Sequence, residues 1–270
     1  MNILEYGVVS EAGITIISGE VGTGKTTLIR SLQDQLDEYT TVGLITNTQS
    51  DFGDLIKWVL ISYGVESKET DHVRLYQHLV DFITAEYESN RRVLLIIDEA
   101  QNLGAAALED LRMLTNININ KQPVLQLILV GQPELIEILK KKDLRQFAQR
   151  VSADYVLQPL SFSETKSYIE HRIKVAGGAE NLFAPTAFAT VYYHSGGLPR
   201  IINTICDMAL VYGFADEAPR IRKEIVLEAI RDRKVGGLAV RDDLEINKEA
   251  EILRQQVIDK TGIDIADVDS

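Results

Sequence analysis

ITIISGEVGTGKTTLIRSL, residues 14–32, is the stretch that decides the fold. The β-branched run at residues 14–18 predicts a buried strand, and the apolar spacing after residue 24 predicts an amphipathic helix. Between them, GEVGTGKT (residues 19–26) matches the pattern G-x-x-x-x-G-K-[ST] in the strand-to-helix setting that gives this pattern its meaning. The stretch therefore predicts a phosphate-binding loop that opens an α/β domain.

The phosphate loop predicts how a nucleotide is held. Its glycines let several backbone N–H groups and a helix N-terminus face one anion. We expect Lys25 to bind the outer phosphates and Thr26 to bind Mg²⁺, so the predicted cofactors are ATP and Mg²⁺. The predicted nucleotide-binding residues of this stretch are Gly19, Glu20, Val21, Gly22, Thr23, Gly24, Lys25, Thr26 and Thr27.

Further apolar runs alternate with helical patterns along the chain. The runs VGLIT (42–46), VLLII (93–97) and VLQLILV (124–130) are typical of parallel strands buried on both faces, and ADYVLQPL (153–160) predicts a last strand. Such alternation predicts a parallel sheet with helices on both faces. After residue 160 only helical patterns follow. The α/β domain is therefore predicted at residues 1–160, and a small all-helical domain follows it in sequence at residues 161–234.

Residues 235–270 form an acidic tail in which one more helix is expected. Ser163 is the expected N-cap of the first helix of the helical domain, and Gly177 its expected stop. The net charge of −12 argues against a surface that generally attracts nucleic acid. A single cysteine, Cys206, excludes an intramolecular disulfide, and no long apolar run predicts a membrane span. We therefore expect a cytoplasmic protein.

An acidic pair follows the strand at residues 93–97. Asp98 and Glu99 would lie at the sheet edge where ligands bind in open α/β folds. We expect Asp98 to hold Mg²⁺ and Glu99 to orient or activate the attacking water. Such a pair is more often a solvated turn or a helix N-terminus, but the phosphate loop upstream favours the catalytic interpretation.

Gln132 follows the strand at residues 124–130. We expect that strand to lie between the phosphate-loop strand and the Asp98 strand, from where the side chain of Gln132 can reach the γ-phosphate or the attacking water. The alternative is a surface glutamine in a turn closed by Pro133. Both interpretations stay open at this point.

Basic residues cluster in KKKDLRQFAQR, residues 140–150. A solvated helix face is the ordinary explanation of such a run. The sharper hypothesis is that Arg150, or less readily Arg145, reaches across a subunit boundary to the neighbour's γ-phosphate. Two interpretations remain for the lysines of this run: solvated surface residues, or a patch that contacts nucleic-acid phosphates. These lysines are Lys140, Lys141 and Lys142.

Taken together, GEVGTGKTTL, LLIIDEAQNL, LILVGQPEL, LRQFAQRV and SGGLPRIIN resemble the AAA+ ATPases. More narrowly, they look like the bacterial ExeA/GspA-type ATPases of secretion, pilus and exopolysaccharide systems, which are similar in turn to the MuB, TniB and TnsC transposition regulators. The resemblance covers roughly residues 4–233. It implies a five-stranded parallel sheet flanked by helices, followed by a helical lid.

The resemblance also implies roles for two further residues. Arg200, in SGGLPRIIN, would lean from the lid onto the γ-phosphate, although pairing with a nearby carboxylate is the alternative. Asn47 matches the position from which a polar side chain holds the catalytic glutamate away until a partner arrives. About a dozen residues precede the first strand, so we expect the adenine to be enclosed weakly or by other elements.

The predicted function is that of an ATP-hydrolysing switch that assembles with ATP as a homo-oligomer and acts on a protein partner. One alternative is a transposition-type regulator that binds DNA, with residues 140–142 as its supporting feature. A second alternative is a scaffold that binds ATP but hardly hydrolyses it. The presence of Glu99 disfavours this alternative, because a protein that only binds ATP has no need of that carboxylate.

Overall fold

The computed structural model describes residues 13–46, 54–120, 122–235 and 248–266. Asn47 lies outside these ranges, so its proposed hold on the glutamate stays a prediction. The chain divides into two compact units at Leu157 and Gln158. Gly22–Gly24 group with the second unit, and Lys25–Leu157 with the first.

The first unit is built on a five-stranded parallel sheet, as predicted. Its strand order is β2-β3-β6-β1-β7, and every neighbouring pair is parallel. A separate antiparallel pair, β4 and β5, precedes β6. The strands are β1 (Ile14–Gly19), β2 (Thr40–Ile45), β3 (Arg92–Ile97), β4 (Asn118–Ile119), β5 (Gln122–Pro123), β6 (Leu125–Gly131) and β7 (Val151–Leu157).

Helices cover both faces of this sheet. Val93, Leu95 and Ile97 of β3 belong to one apolar cluster, while Leu94 and Ile96 belong to another, because successive side chains of a strand point to opposite faces. The helices are α1 (Lys25–Gln33), α2 (Leu55–Ser62), α3 (His72–Glu88), α4 (Ala105–Leu114), α5 (Pro133–Leu139) and α6 (Arg145–Ala148), with short 3-10 turns at Ala100–Asn102 and Lys142–Leu144.

The second unit is helical in the part that the structure describes. Its own core is formed mainly by its first four helices, and the last helix packs on α8 through a smaller cluster that includes Tyr193 and Ala250. The helices are α7 (Phe162–Val175), α8 (Pro185–Ser195), α9 (Pro199–Ala215), α10 (Lys223–Val235) and α11 (Lys248–Thr261). Among the described residues, no helix has the length and apolar character needed to cross a membrane.

One predicted helix boundary is wrong. The N-cap of α7 is Ser161, not Ser163, and Ser161 forms a full capping box with Glu164. The reason is the spacing: Glu164 lies three residues after Ser161, so its carboxylate returns to the Ser161 N–H at 2.8 Å. The predicted stop is confirmed, because Gly177 has φ +77° and its N–H donates to the Lys174 carbonyl at 3.0 Å.

Candidate active site

The turn between β1 and α1 places a lysine under the phosphate loop. Lys25, the first residue of α1, is only 6% exposed, and its Nζ donates to the carbonyl oxygens of Gly19 (2.7 Å) and Glu20 (3.1 Å). Gly22 and Gly24 have φ of +87° and +98°, values that residues with a Cβ rarely adopt. The backbone therefore requires glycine at these two positions, and the ammonium group lies beside the carbonyls of the loop.

A hydroxyl and a carboxylate meet next to Lys25. Thr26 Oγ1 donates to Asp98 Oδ2 at 3.2 Å, so the start of α1 touches the residue that follows β3. Burial raises the pKa of Asp98 above its ordinary value, against the opposing effects of the Glu99 N–H, the Thr26 hydroxyl and the Lys25 charge. These oxygen donors are of the kind that Mg²⁺ prefers, so the two residues fit a magnesium site.

Glu99 adopts a backbone conformation that is uncommon for a residue with a side chain. Its φ and ψ are +53° and +37°, and its N–H donates to Asp98 Oδ1 at 2.9 Å. The side chain of Gln132 reaches it, with Nε2 3.3 Å from Glu99 Oε2. This contact exists because β6 lies between β1 and β3, which is the strand order that the Gln132 hypothesis required.

Gln101 also belongs to this cluster, although no motif in the sequence points to it. Its Nε2 hydrogen-bonds Glu99 Oε2, and its Oε1 accepts the backbone N–H of Gln132 at 3.0 Å. The only signal in the sequence is an amide two residues after Glu99. That spacing brings the two side chains together only because a 3-10 turn follows β3.

The basic side chains of residues 140–150 lie on the surface of the first unit, while Leu144 and Phe147 between them are buried in its core. Lys140 pairs with Glu137 at 2.7 Å, and both side chains are exposed. Arg145 begins α6 and is exposed, and exposed Arg150 donates from Nη1 to Thr115 Oγ1 at 3.4 Å. Lys141 and Lys142 are exposed as well. In a single subunit this run fits the solvated-surface interpretation, and the trans role of Arg150 stays a prediction.

Within the second unit, Arg200 lies at the start of α9. Its N–H donates to the carbonyl of Gly22 at 3.2 Å, and a Cβ built on Gly22 would lie 2.8 Å from the Arg200 Cβ. Pro199 is the first residue of the helix, where its missing N–H costs nothing. Gly196 and Gly197 precede it with φ of +58° and +75°. The SGGLPR turn thus brings the backbone of Arg200 to Gly22, which lies between the two glycines of the phosphate-loop pattern.

Known proteins resemble this chain in sequence and in fold. A family model described as an AAA domain matches residues 8–139. The chain is 38% identical over 219 residues to General secretion pathway protein A of Aeromonas hydrophila. That match covers 81% of this chain and 40% of the relative, so the chain spans less than half of the relative's length.

Solved structures share the fold at low identity. The ORC2 protein of Aeropyrum pernix, in its ADPNP-ADP complexes, has a TM-score of 0.61 at 16% identity over 97% of this chain and 79% of that one. Cdc6p of Pyrobaculum aerophilum has a TM-score of 0.65 at 18% identity over 81% and 60% of the two chains. A RuvB variant of Thermotoga maritima has a TM-score of 0.55 at 20% identity over 96% and 72%.

Proposed function

Because this chain belongs to the AAA+ ATPases of the ExeA/GspA type, we propose that it hydrolyses ATP and uses hydrolysis to switch its own assembly and the state of a protein partner. One observation carries this proposal. The Thr26 hydroxyl and the Asp98 carboxylate lie 3.2 Å apart beside the buried ammonium of Lys25, with Glu99 next in sequence. A phosphate-binding loop, two oxygen ligands for a divalent cation and a second carboxylate are the parts that ATP hydrolysis needs.

Nucleotide binding follows from the loop. The backbone N–H groups at the start of α1 and the ammonium of Lys25 hold the β- and γ-phosphates, in exchange for the carbonyl contacts of Gly19 and Glu20. Thr26 and Asp98 would hold Mg²⁺, which when bound neutralises charge on the phosphate oxygens.

Hydrolysis needs a base and a residue that orients the reacting groups. Glu99 accepts the proton of the water that attacks the γ-phosphorus, and ADP and phosphate are the products. Gln132, whose amide already lies beside the Glu99 carboxylate, orients the water or the γ-phosphate. Arg200 is proposed to bind the γ-phosphate from the lid.

Assembly supplies a further positive charge at the γ-phosphate. We assign Arg150 to the active site of a neighbouring copy, since its guanidinium is exposed and the charge of one arginine is worth several orders of magnitude in phosphoryl transfer. This assignment makes the ATP-bound homo-oligomer the active form. The match to General secretion pathway protein A supports a partner in a secretion, pilus or exopolysaccharide-type system, and the cytoplasm remains the proposed compartment.

Of the two alternatives, DNA binding is opposed by the net charge of −12 and has the exposed lysines at residues 140–142 as its support. The scaffold alternative is tested by comparing wild type with Glu99→Gln under single-turnover conditions. We expect equal nucleotide affinity and a rate lower by about 100-fold or more in the variant. Glu134→Gln, an exposed acid in the first turn of α5, serves as the control and is expected to leave the rate unchanged. Equal and negligible hydrolysis rates for wild type and Glu99→Gln would support the scaffold alternative.

A further inference from the structure

Gln101 forms a bridge between two loops of the first unit. At one end its Nε2 donates to Oε2 of Glu99, on the loop after β3. At the other end its Oε1 accepts the N–H of Gln132, on the loop after β6, at 3.0 Å. An amide side chain carries separate donor and acceptor atoms, so both bonds form at once. Neither a carboxylate nor an apolar side chain of the same length can make both.

The backbone leaves room for this amide. A Cβ built on Gly131 would lie 2.8 Å from Gln101 Oε1 and 3.0 Å from a methyl group of Leu135. Any other residue at position 131 therefore pushes Gln101 away from the N–H of Gln132. The glycine at the end of β6 is matched to the glutamine that follows β3.

The two amide donors that reach Glu99 differ in how firmly they hold it. Both bond the same oxygen, Oε2, and the Gln132 bond is long at 3.3 Å. Gln101 is also anchored at its other end by the backbone of Gln132. The side chain of Gln132 is thus the one that can turn toward a phosphate while Gln101 keeps its contact with Glu99.

We propose that Gln101 is a positioning residue that holds the Glu99 carboxylate at the angle from which it accepts the proton of the attacking water. This inference rests on the proposed function. The amide of Gln101 contacts Glu99 Oε2 at one end and is held by the Gln132 N–H at the other, so it can fix the direction of the carboxylate as hydrogen bonds around a functional group do. The loss of a hydrogen bond to a charged group predicts a rate lower by about 10- to 100-fold.

Two substitutions separate positioning from simple loop support. Gln101→Met keeps the length of the side chain and removes both bonds. We expect kcat to fall by about 10- to 100-fold and the KM for ATP to change by less than about twofold. Gln101→Glu keeps an acceptor for the Gln132 N–H but loses the donor and places a second carboxylate beside Glu99. We expect kcat to fall at least as far.

The matched control is Gln77→Met, the same change at an exposed glutamine of α3. Circular dichroism and the affinity for a fluorescent ATP analogue are measured on every variant to show that the fold and the binding loop are retained. A normal rate for Gln101→Glu together with a low rate for Gln101→Met means that Gln101 only ties the loops, and overturns the inference. A normal rate for Gln101→Met also overturns it.

The wild-type rate tells the two proposals apart. If wild type hydrolyses ATP faster than Glu99→Gln but Gln101→Met equals wild type, the inference about Gln101 fails and the ATPase stands. If wild type is no faster than Glu99→Gln, the proposed function fails, and the positioning role fails with it.

Discussion

Gly197 occupies a position where the structure predicts a large loss of stability on adding one methyl group. Its φ is +75°, and a Cβ built there would lie 2.0 Å from the carbonyl oxygen of Leu160. The same two residues are joined by a hydrogen bond from the Leu160 N–H to the Gly197 carbonyl at 2.9 Å. Moving one backbone away from the other to admit the methyl group therefore also lengthens that bond.

The magnitude follows from two contributions. A left-handed conformation costs an alanine about 1–2 kcal/mol. Relief of an overlap with backbone, including a weakened hydrogen bond, adds about 2–4 kcal/mol. Gly177→Ala is the matched control, because Gly177 has φ +77° and nothing lies within 4 Å of its built Cβ. The control carries only the first contribution, and effects on the unfolded chain are alike in both variants.

The assay is urea unfolding followed by hydrogen exchange of peptides from α7 and α9, which reports the free energy of unfolding of the second unit itself. We expect Gly197→Ala to lower that free energy by about 3–6 kcal/mol and Gly177→Ala by about 1–2 kcal/mol. Values for the two variants within about 0.5 kcal/mol of each other would refute the close approach of Gly197 to Leu160.

Three further predictions use other parts of the molecule. Burial raises the pKa of the Cys206 thiol to about 12. At pH 8 a thiol reagent should therefore react about a thousandfold more slowly with the folded protein than with the urea-unfolded protein. Comparable rates would contradict the buried position of this thiol. The hydrogen bond from Arg254 lowers the pKa of Asp264 from 3.8 to about 2, so the pair stabilises the fold above about pH 4 and stops doing so as the pH falls through 2. Asp264→Asn should therefore lower the urea midpoint at pH 5 and much less at pH 2, and an equal loss at both would count against the ion pair. Arg150→Ala should keep nucleotide affinity and lower kcat by about a thousandfold, whereas Arg145→Ala should change neither; the reverse pattern would move the trans role to Arg145.

Much of the first unit was predictable because its patterns are local. The strand at residues 14–18, the loop at 19–26 and the helix that follows lie next to one another in sequence, and each has its own signature. The strand runs at 93–97 and 124–130 are apolar because both faces are buried, and the observed strands match them to within about one residue. The place of β6 beside β3 was predicted with the position of Gln132.

The parts that escaped prediction depend on choices between equivalent residues or on backbone geometry. Ser161 and Ser163 are both good N-caps, and only the return bond from Glu164 decides between them. Gln101 joins the Glu99 cluster because of a left-handed residue, a 3-10 turn and a glycine, Gly131, that lies far along the chain. No single stretch of sequence contains all three features.

In the proposed cycle, ATP drives assembly and hydrolysis reverses it. The most direct measurement is the molar mass by light scattering as a function of time after adding Mg-ATP, with phosphate release followed in the same sample. For wild type we expect the mass to rise and then to return as phosphate is released, and for Glu99→Gln to rise and stay high. A molar mass that does not change when ATP is added to either protein would contradict this cycle. So would a wild-type assembly that persists after all ATP has become ADP.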